Sequence, residues 1–379
     1  MLKPLLIITV FFAGVLFMSC EKQSSELVDA GADTALLIPG SADGVITFNN
    51  TVYHAGDTIY GFKRYVMLIV GDKDVPLMLG IPHDGVAVGS PEIPETGDTG
   101  RDINTNPFAT AIATLFKEET GKRPWVIINN IARKRVDPNS CPDEVDERYT
   151  HADAKSTWQS YHELMAAARA VMSTALQHKT GGIFIDVHGH AHKYVNGHQV
   201  YYTSATSGNQ VLSDFIDQTE IGYGLSSHSL EQNDAYLNNL ADSSSVNAIA
   251  DAHPAVPFSA LIRGVNSFGG MLQAQSIIAV PGSVLQILNR NATLFGTSSS
   301  GAPARRPYFT GGYLTRKYGT VALGSTIGYN DNISSLQIET PGITVRNNPS
   351  IIAVSAPRFK RAIINYLNTW FGYTYTNTK

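Results

Sequence analysis

The sequence predicts an α/β domain with a mixed, largely parallel central sheet flanked by helices. Three observations carry this reading. Gly181-Gly182 opens a run in which Ile183, Phe184, Ile185 and Val187 are apolar, the pattern of a strand buried on both faces. Trp125 to Ile131 is a second such strand. Each follows a helical pattern, residues 107–119 and 156–178, and helix then strand, repeated, gives parallel strands joined by crossover helices.

The chain has 379 residues, 43% of them apolar and 16% charged, a globular composition. Twenty-eight basic against 32 acidic residues give a net charge of -4, with no basic run that would line a nucleic-acid groove. Residues 1–20 read as an export signal: Lys3 supplies the positive start and Leu5 to Met18 the apolar core, too short to favour a spanning helix. The ending Phe17-Met18-Ser19-Cys20 resembles a bacterial lipoprotein signal, with Cys20 as the lipidation site. The expected location is therefore the cell envelope, with a lipid anchor holding the chain to a bacterial membrane. Residues 21–40 are polar and read as a flexible tether, leaving 41–379 as a single α/β domain.

In chain order, Thr58 to Val70 and Val75 to Ile81 read as strands joined by the turn Gly71 to Asp74. The second runs into His83-Asp84-Gly85. Residues 86–106 form a long loop carrying Glu92, Glu95, Asp98, Arg101 and Asp102, and loops of that length inside compact domains are usually functional. A helix over 107–119 takes Asn106 as its cap and Pro107 at its first position. Strand Trp125 to Ile131 leads into Arg133-Lys134-Arg135, a cluster suited to a carboxylate or an oxyanion. Residues 141–154 read as charged loop. The helix over 156–178 follows, with Trp158, Tyr161, Leu164, Met165, Ala168, Met172 and Leu176 on one face. His162 on that helix reads either as a site residue or as a satisfied structural histidine.

The strand after Gly182 ends in Asp186, His188, His190 and His192. Residues 198–203 read as strand, 208–255 as mostly helical, and 295–304 as exposed loop. Ser335 to Pro341 is a strand ending in Glu339, and 357–371 an amphipathic helix. Chemistry in α/β sheets collects at the carboxyl ends of strands. Four such ends bear chemistry here: His83, the Arg133 cluster, His188 and Glu339. Two histidines and a carboxylate would hold Zn2+ with a position open for water, a second carboxylate could take a proton from that water, and an arginine could stabilise an oxyanion.

These elements, in this order, resemble the N-formylglutamate amidohydrolases. The matching residues are Pro82 to Gly85, Asp102 to Thr105, Arg133 with Asp137 and Asn139, Tyr161-His162, Asp186 to His188, Gly311 to Tyr313 with Thr315-Arg316 and Tyr318-Gly319, and Leu336 to Glu339. The resemblance implies a zinc-carboxypeptidase-like fold and a metal-dependent hydrolase acting on C–N bonds. It implies His83 and His188 as metal ligands with Asp102 as the third, Glu92 and Asp98 being the alternatives. Glu339 takes the place of the general base, Arg133 polarises the scissile carbonyl or binds the substrate carboxylate, and Asp186 orients a ligand or fixes the local backbone. Asn139, Arg316 and Tyr313 fall at substrate-binding positions. The family's arginine after Asp-x-Asn is replaced here by Ser140, which cannot make a bidentate contact, and Arg135 is the expected substitute. Formylglutamate is a cytoplasmic metabolite, so an exported chain implies another N-acyl amino acid, a peptide or a cell-wall fragment as substrate. The alternative is a non-catalytic envelope lipoprotein that binds a glycan or peptide with the same fold.

Overall fold

A computed structural model of the protein describes residues 44–177, 181–191, 200–204, 210–213, 217–288, 308–320 and 327–376. The expected signal segment with Cys20, the tether, His192 and the loop 295–304 lie outside the described residues.

The described chain opens with a hairpin, β1 (Ile46–Phe48) and β2 (Thr51–Tyr53), that forms its own small sheet. β3 (Thr58–Tyr60), β4 (Val66–Ile69) and β5 (Leu77–Ile81) follow. Next come α1 (Thr105–Thr120), β6 (Trp125–Asn129), α2 (Pro142–Arg148), α3 (Ala152–Leu176) and β7 (Gly182–His190). β8 (Val200–Ser204), β9 (Gln210–Ser213) and β10 (Thr219–Gly222) precede five short helices. These are α4 (Ser227–Leu230), α5 (Asp234–Leu237), α6 (Asn247–Ala252), α7 (Phe258–Arg263) and α8 (Phe268–Ala274). β11 (Ala279–Val280), β12 (Leu285–Leu288), α9 (Tyr313–Tyr318), β13 (Ile333–Pro341) and α10 (Pro349–Trp370) complete the order. No helix among the described residues is long and apolar enough to cross a membrane.

The central sheet has eight strands in the order β11-β10-β13-β7-β5-β6-β4-β3, and β12-β8-β9 form a separate three-stranded sheet. β13, β7, β5 and β6 are mutually parallel, whereas β10 runs antiparallel to β13 and β4 antiparallel to β6. The sheet is therefore mixed and largely parallel. From β5 the chain crosses through α1 to β6 on one side, then returns through α3 to β7 on the other. Right-handed crossovers in opposite directions place α1 and α3 on opposite faces. α10 covers α1, with Phe359 edge-on to Phe108 at 5.0 Å between ring centroids. α9 joins α3, where the Arg169 Nε–H donates to Tyr318 O at 3.1 Å. Every residue of β5 and β6 is buried, which explains why neither shows apolar–polar alternation.

Several elements differ from expectation for local reasons. The run Thr58 to Val70 folds back on itself: Phe62–Arg64 form a tight turn with Lys63 and Arg64 at positive φ, and β3 pairs with β4 antiparallel. The turn after β4 does not join sheet neighbours, because β6 lies between β4 and β5. α1 starts at Thr105, two residues early, because Asp84 accepts the main-chain N–H groups of Asn104 (3.2 Å) and Asn106 (2.9 Å). A side chain twenty positions away does the capping, and Pro107 sits where an N–H has no helical acceptor anyway. The expected charged loop contains α2, with Pro142 opening it and Glu144 accepting the Cys141 N–H at 3.2 Å. Residues 208–255 include β9 and β10 ahead of the helices. α10 begins at Pro349, capped by Asn348, and carries Pro357 inside it. Its buried stripe of Ile352, Ala356, Phe359, Ile363, Tyr366 and Trp370 runs straight through that proline, so packing outweighs one lost hydrogen bond.

Candidate metal centre at the carboxyl ends of the parallel strands

All four chemistry-bearing segments leave the sheet at the same edge. β5 delivers His83 two residues past its end, and β7 carries His188 within its last turn of pleat. In the β7–β13 register Glu339 stands directly beside His188. The segment after β6 returns as Arg133 to Asn139.

His83 and His188 meet with ring centroids 4.5 Å apart and planes at 78°. The Nδ1 atoms of both approach one oxygen, Asp102 Oδ2, at 3.3 Å and 3.1 Å. All three side chains are buried. Asp102 reaches this position because its own N–H donates to His83 O (3.2 Å) and its Oδ2 accepts the Gly189 N–H (3.2 Å). Asp84 braces the same loop by accepting from Arg101 Nη2 at 2.7 Å as well as from the start of α1. Of the carboxylates weighed for this position, Asp102 is the one brought between the histidines. Asp98 pairs with Arg133, and Glu92 with Arg135.

The far side of each imidazole meets a second carboxylate. His83 Nε2 donates to Asp137 Oδ1 at 2.7 Å, and His188 Nε2 lies 3.0 Å from Asp186 Oδ2. A carboxylate behind a histidine fixes the tautomer and turns the other nitrogen's lone pair inward, as in carboxylate–histidine–metal arrangements. His83 Nδ1 is buried and faces Asp102 Oδ2 without a well-aligned hydrogen bond, an atom left to ligate. Two neutral nitrogens and one carboxylate oxygen suit Zn2+ and leave a position for water. His83, Asp102 and His188 thus fit a metal ion.

The charges agree with this geometry. Burial opposes ionisation of Asp102, yet the two histidines hold it well below the usual carboxylate range. Asp137 is likewise depressed against its burial by His83 and Arg133. Burial and His188 favour a neutral His83, but Asp137 and Asp102 outweigh them and raise it. Glu339 moves the other way: burial, with Asp102 and Glu220 nearby, pushes its carboxyl up to about 7. Gln337 Nε2 donates to Glu339 Oε1 at 3.0 Å.

The remaining predicted residues divide. Arg133 stands beside the centre, its Nε 2.9 Å from Asp137 Oδ2, so Asp137 bridges Arg133 and His83. Asn139 Nδ2 lies 3.4 Å from His188 Nε2, and Asn139 Oδ1 accepts the Leu314 N–H at 2.8 Å. That clamp ties α9, with Tyr313 and Arg316, to the centre. A Cβ at Gly312 would overlap the Asn139 amide, so glycine is needed there. Arg316 makes no ion pair among the described residues, and its Nε is buried without a partner. Arg135 corrects the expectation: it is 4% exposed and consumed by Glu92, Glu95 and Ile93 O. It braces the loop and is not available to a substrate carboxylate. His162 is structural, with Nδ1 on Tyr318 Oη (2.7 Å) and Nε2 on Pro138 O (3.1 Å), and burial lowers it to about 3. Asp84 escaped the sequence reading, although its place between His83 and Gly85 was the available signal.

Fold and site together define a mixed α/β protein with a buried histidine–carboxylate–histidine centre at one sheet edge. No protein-family model and no curated protein matches the chain. Among solved structures, the crystal structure of N-formylglutamate amidohydrolase from Ralstonia eutropha aligns with 80% of this chain and 97% of that one, at a TM-score of 0.41 and 11% identity.

Proposed function

We propose that the protein is a zinc-dependent amidohydrolase of the cell envelope, cleaving an amide bond of an N-acyl amino acid, a peptide or a cell-wall fragment. The observation that carries this is the convergence of two histidine Nδ1 atoms on Asp102 Oδ2, each imidazole backed by its own carboxylate. The residue order that resembles the N-formylglutamate amidohydrolases supports the reaction class, and the signal-like first twenty residues support the location.

His83, Asp102 and His188 would hold the zinc, which would supply Lewis acidity to activate water and polarise a carbonyl. Glu339, beside His188 and with its carboxyl pushed up to about 7, would take a proton from the attacking water and return it to the leaving nitrogen. Arg133 donates to the developing oxyanion while Asp137 orients it. Asn139, Tyr313 and Arg316 hold the substrate, with Arg316 binding the carboxylate in place of Arg135.

Metal analysis of protein purified without chelator should find about one zinc per chain. The double variant His83→Ala, His188→Ala should lose it. Turnover of N-acyl amino acids or peptides should vanish in Glu339→Gln, which also excludes the binding-lipoprotein reading. Zinc-free wild-type protein would overturn the proposal.

A further inference from the structure

We propose that Arg346 is a positioning residue that locks Asp102, His188 and Glu339 into one frame, an inference that rests on the metal-centre reading above. Arg346 lies seven residues beyond Glu339, in the turn between β13 and α10, and is 4% exposed. Its hydrogen bonds all go to main-chain carbonyls on three segments. Nη1 donates to Ile103 O, Nη2 to His190 O at 2.9 Å, and Nε to Thr340 O at 3.2 Å. Ile103 adjoins Asp102, Thr340 adjoins Glu339, and His190 lies two residues past His188. One rigid guanidinium therefore bonds within two residues of every group it would hold in place.

Gly189 makes this possible. A Cβ there would overlap the guanidinium, so the planar group lies flat against the main chain between His188 and His190. From the other side the Gly189 N–H donates to Asp102 Oδ2. Gly189 thus touches the guanidinium and is hydrogen-bonded to Asp102.

The chemistry explains why arginine is used. Strand ends leave carbonyls without ladder partners, and buried carbonyls need donors. A guanidinium offers five N–H groups in a fixed fork, which a flexible ammonium cannot reproduce. Burying a cation is costly, and well-packed apolar side chains would do equally well if filling space were the only requirement. Burial still outweighs the attraction of Asp102, Glu339 and Asp84 and lowers the guanidinium, so these carboxylates and the three carbonyls offset the cost only in part.

Competition with a chelator for Zn2+ in Arg346→Met, Arg346→Lys and wild-type protein tests the role. Removing an outer partner of a metal site typically weakens binding 10–100-fold, the loss expected for Arg346→Met. Arg346→Lys keeps the charge but loses the fork, and should fall by about tenfold. Lys360→Met is the control: Lys360 is a buried cation paired with Glu119 at 2.8 Å, away from the centre. It should lower the melting temperature of metal-free protein while leaving zinc affinity unchanged. If Arg346→Met does not fold, Arg346→Lys decides alone, and wild-type affinity in that variant overturns the proposal. Wild-type protein that binds no zinc overturns the centre as well. A zinc-binding wild type matched by Arg346→Met overturns the positioning role alone.

Discussion

A carboxyl group held near neutrality is useful to a general base and costly to a fold. Glu339 titrates at about 7 against an ordinary 4.5. Below the unfolded value both states carry the proton and nothing is lost. As pH rises from there through 7, the unfolded chain ionises freely while the folded one resists, and stability declines. Metal-free Glu339→Gln is therefore expected to be more stable than metal-free wild type at pH 8, by on the order of 1–3 kcal/mol. At pH 4 the two should match. Equal denaturation midpoints at both pH values would refute the assignment. At this scale His83, His188 and Glu339 stand out in the sequence because each lies at or just past the carboxyl end of an apolar strand. Arg346 does not, because nothing in a turn beyond a strand announces which carbonyls its side chain will reach.

Among elements, β5 and β7 set the separation of the two histidines, and Gly80 sets how closely they are packed. A Cβ at Gly80 would lie 2.7 Å from Phe184 Cε2, across the β5–β7 pair. Gly80→Ala must displace that ring or the strand, and overpacking of this kind costs about 1–3 kcal/mol. Urea denaturation should show the loss, and an unchanged midpoint would mean that Phe184 moves freely. The buried strands and the long helix α3 could be read in advance because continuous apolar runs and a helical stripe are strong periodic signals. α2 could not, because its residues Pro142 to Arg148 bury only Val145. The start of α1 was misplaced for a different reason: Asp84, distant in sequence, supplies the cap.

For the whole molecule, the centre imposes opposing demands on pH. Asp102 and Asp137 are depressed, so their contribution is present above the unfolded carboxyl value near 4 and is lost as pH falls. His83 and His188 are raised, so theirs is present below about 6.5 and is lost as pH rises. Metal-free protein should melt highest between about pH 4.5 and 6.5. Zinc, which binds neutral imidazole, should raise the melting temperature more at pH 7.5 than at pH 5.5. Calorimetry of both forms checks this, and a zinc effect independent of pH would contradict it. At this scale the α/β class followed from alternating helices and strands, whereas the strand order did not, since β13 pairs with β7 across some 140 intervening residues.

That placement governs when the centre can exist. Among the described residues β13 is the last strand in chain order, yet it inserts between β7 and β10 in the interior of the sheet. A nascent chain holding His83, Asp102 and His188 still lacks the strand that carries Glu339 and the turn that carries Arg346. The centre is therefore completed only once β13 has been made, and a polypeptide cut short before Ile333 cannot assemble it.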